Sequence, residues 1–157
     1  MDSKTASDQL NRILGFFPRV DGKASAVFAI ASTLIGVLAS RINFVQPSLP
    51  IVALPACVSL ALLAYALIEL FICAYPNLRG SETSLIYFRG IARRDASSFC
   101  AAFSALNEQG LQDDLIEQIW CNARILRIKY GALKRAFIAT LTALIPWTLV
   151  ISLTNAG

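Results

Sequence analysis

Residues 24–40, 51–68 and 136–153 are three runs without Asp, Glu, Lys or Arg, built almost entirely from apolar side chains. A helix needs about 17–25 predominantly apolar residues to cross a bilayer, and each run reaches that length. The second continues past Glu69 to about Tyr75, which brings this carboxylate to the bilayer edge. The pattern predicts an all-α integral membrane protein with spans over about 24–40, 51–74 and 136–153. The one long polar stretch lies between the second and third spans.

The polar stretches have a helical period of their own. Leu10, Ile13, Leu14 and Phe17 are spaced three and four apart, which predicts a short helix over residues 8–17 with one apolar face and Ser7 as its cap. Pro18 has no N–H to donate and suits only a first turn, so the chain should break there and restart as it enters the membrane. Residues 1–23 then form an amphipathic cytoplasmic segment that packs on a cytoplasmic partner or lies on lipid. Pro47 and Pro50 in the connection 42–50 suit a tight hairpin, and Pro76-Asn77-Leu78-Arg79-Gly80 predicts a turn.

After that turn Ser84 to Phe88 is a short apolar piece whose aromatics suit a membrane interface. From Asp95 onward Phe99, Ala102, Phe103 and Leu106 share a helical face, which residues 107–110 end. Leu111, Leu115, Ile119, Leu126, Tyr130, Leu133 and Phe137 continue as one stripe, with no breaker between Gln112 and Pro146. This predicts one helix of about 40 residues, roughly 60 Å long, in which the cytoplasmic segment 76–135 continues into the span 136–153. Pro146 cannot donate to the Thr142 carbonyl, so a kink is expected. Thr140 or Thr142 would serve the freed groups, and Trp147 would face lipid or pack.

Composition points the same way. A chain that is 56% hydrophobic and 15% charged, with mean hydropathy +0.60, is too apolar for an ordinary soluble domain. Lys and Arg number four in residues 1–23, one in 41–50, nine in 75–135 and none in 154–157. The positive-inside bias then places the N-terminus and the middle segment in the cytoplasm, with the short loop and the C-terminus outside. This distribution accounts for the net charge of +4 without a nucleic-acid partner. A cleaved signal peptide is disfavoured, because Arg41 directly follows the first run and Asp2, Asp8 and Asp21 precede it.

Candidate chemistry is sparse. The chain has no histidine, and its four cysteines form no C-x-x-C pair, so neither a zinc site nor a disulfide framework is expected. No phosphate-binding glycine loop, nucleophile elbow or dinucleotide fingerprint occurs. Glu108, Asp113, Asp114 and Glu117 gather at a helix start, where acids complement the dipole, and an enzyme is not indicated. Glu69 is either a functional intramembrane carboxylate or the partner of Lys134 or Arg135. Ala29, Ser32, Gly36 and Ser40 form a small-residue stripe that allows close approach, either to the other spans or to a second copy. Arg79, Arg89, Arg93, Arg94, Arg124, Arg127 and Lys129, with Tyr87 and Tyr130, could receive a phosphate and stack on a base, although the inside-positive bias alone explains such cations.

Asp21-Gly22-Lys23-Ala24 at the first span, Ser84-Leu85-Ile86-Tyr87-Phe88 with Ile91-Ala92, Gln118-Ile119-Trp120, and Lys129-Tyr130 occur in this order, in register with the three runs. In this arrangement the chain resembles, over nearly its whole length, the transmembrane effectors of Pycsar antiphage systems. The resemblance implies an adjacent pyrimidine cyclase that makes cyclic UMP or cyclic CMP on phage infection. It also implies an effector in the bacterial inner membrane that senses this nucleotide and impairs the membrane, so that the infected cell dies. No cofactor beyond the signal nucleotide is implied. Arg89, Arg93 or Lys129 would contact the phosphate and Tyr87 or Tyr130 would stack; without a recognisable β-roll, helices would hold the ligand. Three spans can hardly enclose an aqueous path, so a homo-oligomer is expected. The alternatives are a membrane anchor that recruits a cytoplasmic protein without a nucleotide, and a lipid- or voltage-sensitive membrane protein.

Overall fold

A computed structural model describes residues 2–42, 50–75 and 83–155. The connection between residues 42 and 50, the turn at 76–80 with Arg79, and Gly157 lie outside the described residues. The elements are α1 (Ser3–Leu14), α2 (Phe17–Ile42), α3 (Pro50–Ala74), α4 (Phe88–Ala92), α5 (Ala96–Ser104) and α6 (Glu108–Asn155), with no strand among the described residues. Three helical stretches, those containing α2, α3 and α6, are long and apolar enough to cross a membrane. The chain divides into two compact units, Met1–Arg19 with Pro76–Ile128 and Val20–Tyr75 with Lys129–Gly157.

The second unit is a three-helix packing in layers. Asp21 of α2 pairs with Lys129 of α6, and Glu69 of α3 pairs with Arg135 of α6. Beyond these pairs come Ala31, Leu63 and Ala143, then Leu38, Ala56 and Val150, and finally a hydrogen bond from Arg41 Nη1 to Asn155 Oδ1 (2.9 Å). This order makes α2 and α6 parallel and α3 antiparallel to both. From Asp21 to Arg41, α2 rises about 30 Å, close to the thickness of a bilayer's hydrocarbon core. Alanines in both layers let the backbones approach, which matters where lipid is as apolar as the helices. Ile51, Leu54, Ile68, Phe71, Ile145 and Leu149 are exposed around this core, as expected of a surface solvated by lipid.

Trp147 packs with the outer layer and donates its indole N–H to the Leu34 carbonyl (3.0 Å), so packing is its role. α6 continues through Pro146. The Thr140 and Thr142 hydroxyls donate to Ala136 O and Ile138 O, each four residues back, so they do not serve groups freed by the proline. The stripe Ala29, Ser32, Gly36 and Ser40 lies exposed on the face of α2 opposite its buried residues. Val20, Ala24, Val27, Ala31 and Leu38 make the intramolecular contacts instead, because their larger apolar surface fills the space against α3 and α6.

In the first unit the N-terminal helix starts earlier than its periodicity predicts. Asp2, not Ser7, caps α1 by accepting from Lys4 N (3.4 Å), since a carboxylate placed ahead of Lys4 meets the first free N–H groups. The chain breaks at Gly15 and Phe16, and Phe17 belongs to α2 with Pro18 in its first turn. The buried face of α1 is Ala6 and Leu10, which pack on Leu115 with Ile86, Leu111 and Ile119 around them, while Leu14 is exposed. The amphipathic leader thus folds onto the start of α6.

Asp95 caps α5 through the Ser97 hydroxyl and the Ser98 N–H, donors that hold its carboxyl well below the usual carboxylate range. α5 ends at Ser104. Residues 107–110 do not terminate it but open α6, because the Asn107 side chain accepts from Gly110 N (2.8 Å) and serves a donor of the first turn.

Candidate functional site

The stretch Thr83–Tyr87 precedes α4, and its N–H groups at Leu85, Ile86 and Tyr87 are bonded by side chains. Ser84 Oγ accepts from Ile86 N (3.1 Å) and Tyr87 N (2.8 Å), and Asp114 Oδ2 of α6 accepts from Leu85 N (2.8 Å). Arg94 Nη2 donates to the Thr83 carbonyl (2.9 Å). Asp114 therefore does not serve the α6 dipole as its position near the helix start suggests. It is one turn too far along and is drawn to the Leu85 amide, a stronger local donor than the diffuse end charge.

Among the described residues, three buried polar atoms of the first unit lack a hydrogen-bond partner: Arg94 Nε, Asp114 Oδ1 and Gln118 Nε2. Gln118 is 3% exposed. It stands one turn after Asp114 on the same side of α6, while its own carbonyl accepts from Asn122 Nδ2 (2.8 Å). An orphaned buried donor or acceptor costs about 1–3 kcal/mol. Such groups in a native fold point to a water, ion or ligand that completes them. Two donors and one acceptor suit a ligand edge that itself alternates acceptor and donor.

The ion pairs of the second unit have a different character. Glu69 accepts two bonds from Arg135, from Nε (2.7 Å) and Nη2 (2.8 Å), and a third from the Tyr65 hydroxyl (2.8 Å). The bidentate fork fixes α3 to α6. Lys129 Nζ sits 2.6 Å from Asp21 Oδ1, with the lysine side chain 11% exposed. Of the two expectations for Glu69, pairing with Arg135 is the one the structure shows.

The residues singled out in the sequence separate accordingly. Asp21 and Lys129 form one ion pair, and Ser84 and Gln118 are both buried in the first unit. Tyr87 is half-buried edge-on to Phe88 (4.8 Å), and Arg89 is half-buried on α4. Arg93 is exposed, and Trp120 is exposed with the Arg124 guanidinium 4.7 Å above its ring. Tyr130 and Lys23 line one groove of the second unit. Tyr87, Arg89 and Arg93 belong to the first unit, Lys129 and Tyr130 to the second. Sequence reasoning missed the association of Asp114 with Leu85 and of Arg94 with Thr83. The available signal was an acid and an amide four apart, flanking the apolar stripe at Leu115.

The family model of the Pycsar effector protein domain matches residues 5–155 of the 157-residue chain. The chain belongs to the Pycsar effector protein domain family. No curated protein and no solved structure matches it. Membership supports the role of a Pycsar antiphage effector, and the three apolar helices mark a membrane protein. Within this Pycsar effector the match takes in both units.

Proposed function

We propose that this Pycsar effector senses a cyclic pyrimidine nucleotide made by an adjacent cyclase and then impairs the bacterial inner membrane. The observation that carries the reading is the set of orphaned buried atoms of the first unit, two of them on residues that bond the Thr83–Leu85 backbone, in a chain that matches the effector family over residues 5–155. In the proposal Asp114 Oδ1 accepts from the N3–H of uracil or the amino group of cytosine, and Gln118 Nε2 donates to the neighbouring ring acceptor. Arg89 or Arg93 meets the phosphodiester, as a guanidinium suits an anionic oxygen pair, and Tyr87 stacks on the ring. Lys129 and Tyr130 are further candidates from the sequence. Calorimetry on the detergent-solubilised protein should give saturable heat with cyclic UMP or cyclic CMP and much less with cyclic AMP. Gln118→Leu should weaken the response about ten-fold or more at unchanged melting temperature. Equal, negligible heats for all three nucleotides would sink the proposal.

That outcome would favour a second reading, a membrane anchor for a cytoplasmic protein. Its support is the exposure of Phe88, Phe103, Ile116 and Trp120 in the first unit, a set of large apolar side chains suited to a protein partner.

The proposed topology has the N-terminus and residues 76–135 in the cytoplasm and the C-terminus in the periplasm, from the basic-residue distribution. The parallel course of α2 and α6 fits it. Gly110 is a poor labelling site, because a Cβ there would lie 3.0 Å from the Leu106 side chain. The exposed Cys100 serves instead. In intact cells a membrane-impermeant thiol reagent should label a single-cysteine Gly157→Cys variant and leave a variant retaining only Cys100 unlabelled. The reverse pattern would overturn the topology.

A further inference from the structure

Among the cations near the start of the first and third spans are Lys23, Lys129, Lys134 and Arg135. Two are neutralised inside the protein, Lys129 by Asp21 and Arg135 by Glu69. Lys23 and Lys134 are exposed, and no carboxylate pairs with either among the described residues. Both line the same groove between α2 and α6, of about 540 Å³. At one end it carries Lys23, Tyr130 and Lys134; at the other it is walled by Val27, Ile30 and Phe137. Ile30 and Phe137 are 53% and 51% exposed. Because α2 and α6 are parallel, Lys23 to Ile30 and Tyr130 to Phe137 descend side by side, about two turns or ~10 Å into the bilayer.

We infer that this groove binds an anionic phospholipid of the leaflet at which α2 enters the membrane. The phosphate sits between the Lys23 and Lys134 ammonium groups. The Tyr130 hydroxyl stands at headgroup level, where amphipathic rings settle, and one acyl chain lies along Val27, Ile30 and Phe137. Two uncompensated cations facing one phosphodiester favour a headgroup with net negative charge over a zwitterion, whose own cation would meet the lysines. Basic pockets between helices at the cytoplasmic side are suited to such headgroups. A free nucleotide fits less well, since its ribose and the polar edge of its base would lie against apolar walls with nothing to bond. The inference is independent of how the first unit senses its signal.

The test uses the full chain in mild detergent, titrated with dioleoylphosphatidylglycerol or dioleoylphosphatidylcholine and followed by native mass spectrometry. Phosphatidylglycerol adducts should persist and phosphatidylcholine adducts should not. The double variant Lys23→Gln/Lys134→Gln should weaken phosphatidylglycerol binding roughly 30-fold, the effect of removing two cations from a membrane-surface anion. The variant Lys23→Arg/Lys134→Arg should retain it, which separates charge from disturbed packing. Equal adducts with both lipids, or undiminished phosphatidylglycerol binding by the glutamine variant, would overturn the inference. Displacement of phosphatidylglycerol by cyclic UMP would also overturn it and make the groove a nucleotide site.

Discussion

Arg135→Leu should lower the unfolding free energy of the detergent-solubilised effector by about 3 kcal/mol, and Glu69→Gln by clearly less. The asymmetry follows from burial. The Glu69 side chain is 7% exposed and that of Arg135 50%. Without the guanidinium, a buried carboxylate keeps, among the described residues, only the Tyr65 hydroxyl as donor, and an unpaired charge in that position is costly. Without the carboxylate, a half-exposed guanidinium can turn to water or lipid phosphate, so about 1 kcal/mol is expected, the range of a solvent-screened pair. The partial exposure of Arg135 also places the larger loss at the low end of the 3–5 kcal/mol typical of broken buried pairs. The double variant Glu69→Leu/Arg135→Leu should recover much of the loss, because a matched apolar pair leaves no orphaned charge. Chemical denaturation followed by circular dichroism measures all three. Equal losses for the two single variants, or a double variant that is merely additive, would refute this account.

The parts of the fold that were legible in the sequence are those fixed by local pattern. The three spans follow from charge-free length, the unbroken course of α6 from the lack of a breaker between Gln112 and Pro146, and a second helix beginning near Pro18 from the rule that confines proline to a first turn, although the break falls at Gly15 and Phe16 and leaves Phe17 in the second helix. The Glu69–Arg135 pair was also within reach, since a carboxylate at that depth needs a cation and few were available. What the sequence did not reveal depends on contacts distant along the chain. Asp21 and Lys129 each belong to a recognisable motif, but 108 positions separate them and nothing local pairs them. Asp114 looks like a helix-start acid until Leu85 N is found beside it. Cap choice was misjudged because Asp2 and Ser7 are both good caps, and the packing of Ala6 under Ile86 and Leu115 decides where α1 begins. The outward direction of the small-residue stripe was equally hidden. Small residues favour close packing, but only the placement of α3 and α6 shows which face of α2 they fill.

That outward stripe leads to the largest functional effect expected of one substitution: Gly36→Leu should abolish nucleotide-triggered growth arrest and entry of an impermeant dye while leaving nucleotide binding intact. A Cβ at Gly36 meets nothing within 4 Å, and Ala29, Ser32 and Ser40 beside it are exposed, so leucine is accommodated within a single protomer. Leucine is also the better helix former, by nearly 1 kcal/mol. Loss of the response would therefore report on something outside the protomer. We propose that this is a second copy of α2, approaching closely because both surfaces are small. Nucleotide can drive such assembly only if it binds the assembling conformation more tightly than the resting one. A tilt or rotation of the long α6 would link the two. Gly36→Ala keeps the surface small and should respond nearly as the natural chain does, whereas Leu holds the backbones apart. Dye entry in Gly36→Leu cells as fast as in wild type, with the nucleotide supplied, would show that the copies do not assemble through this face.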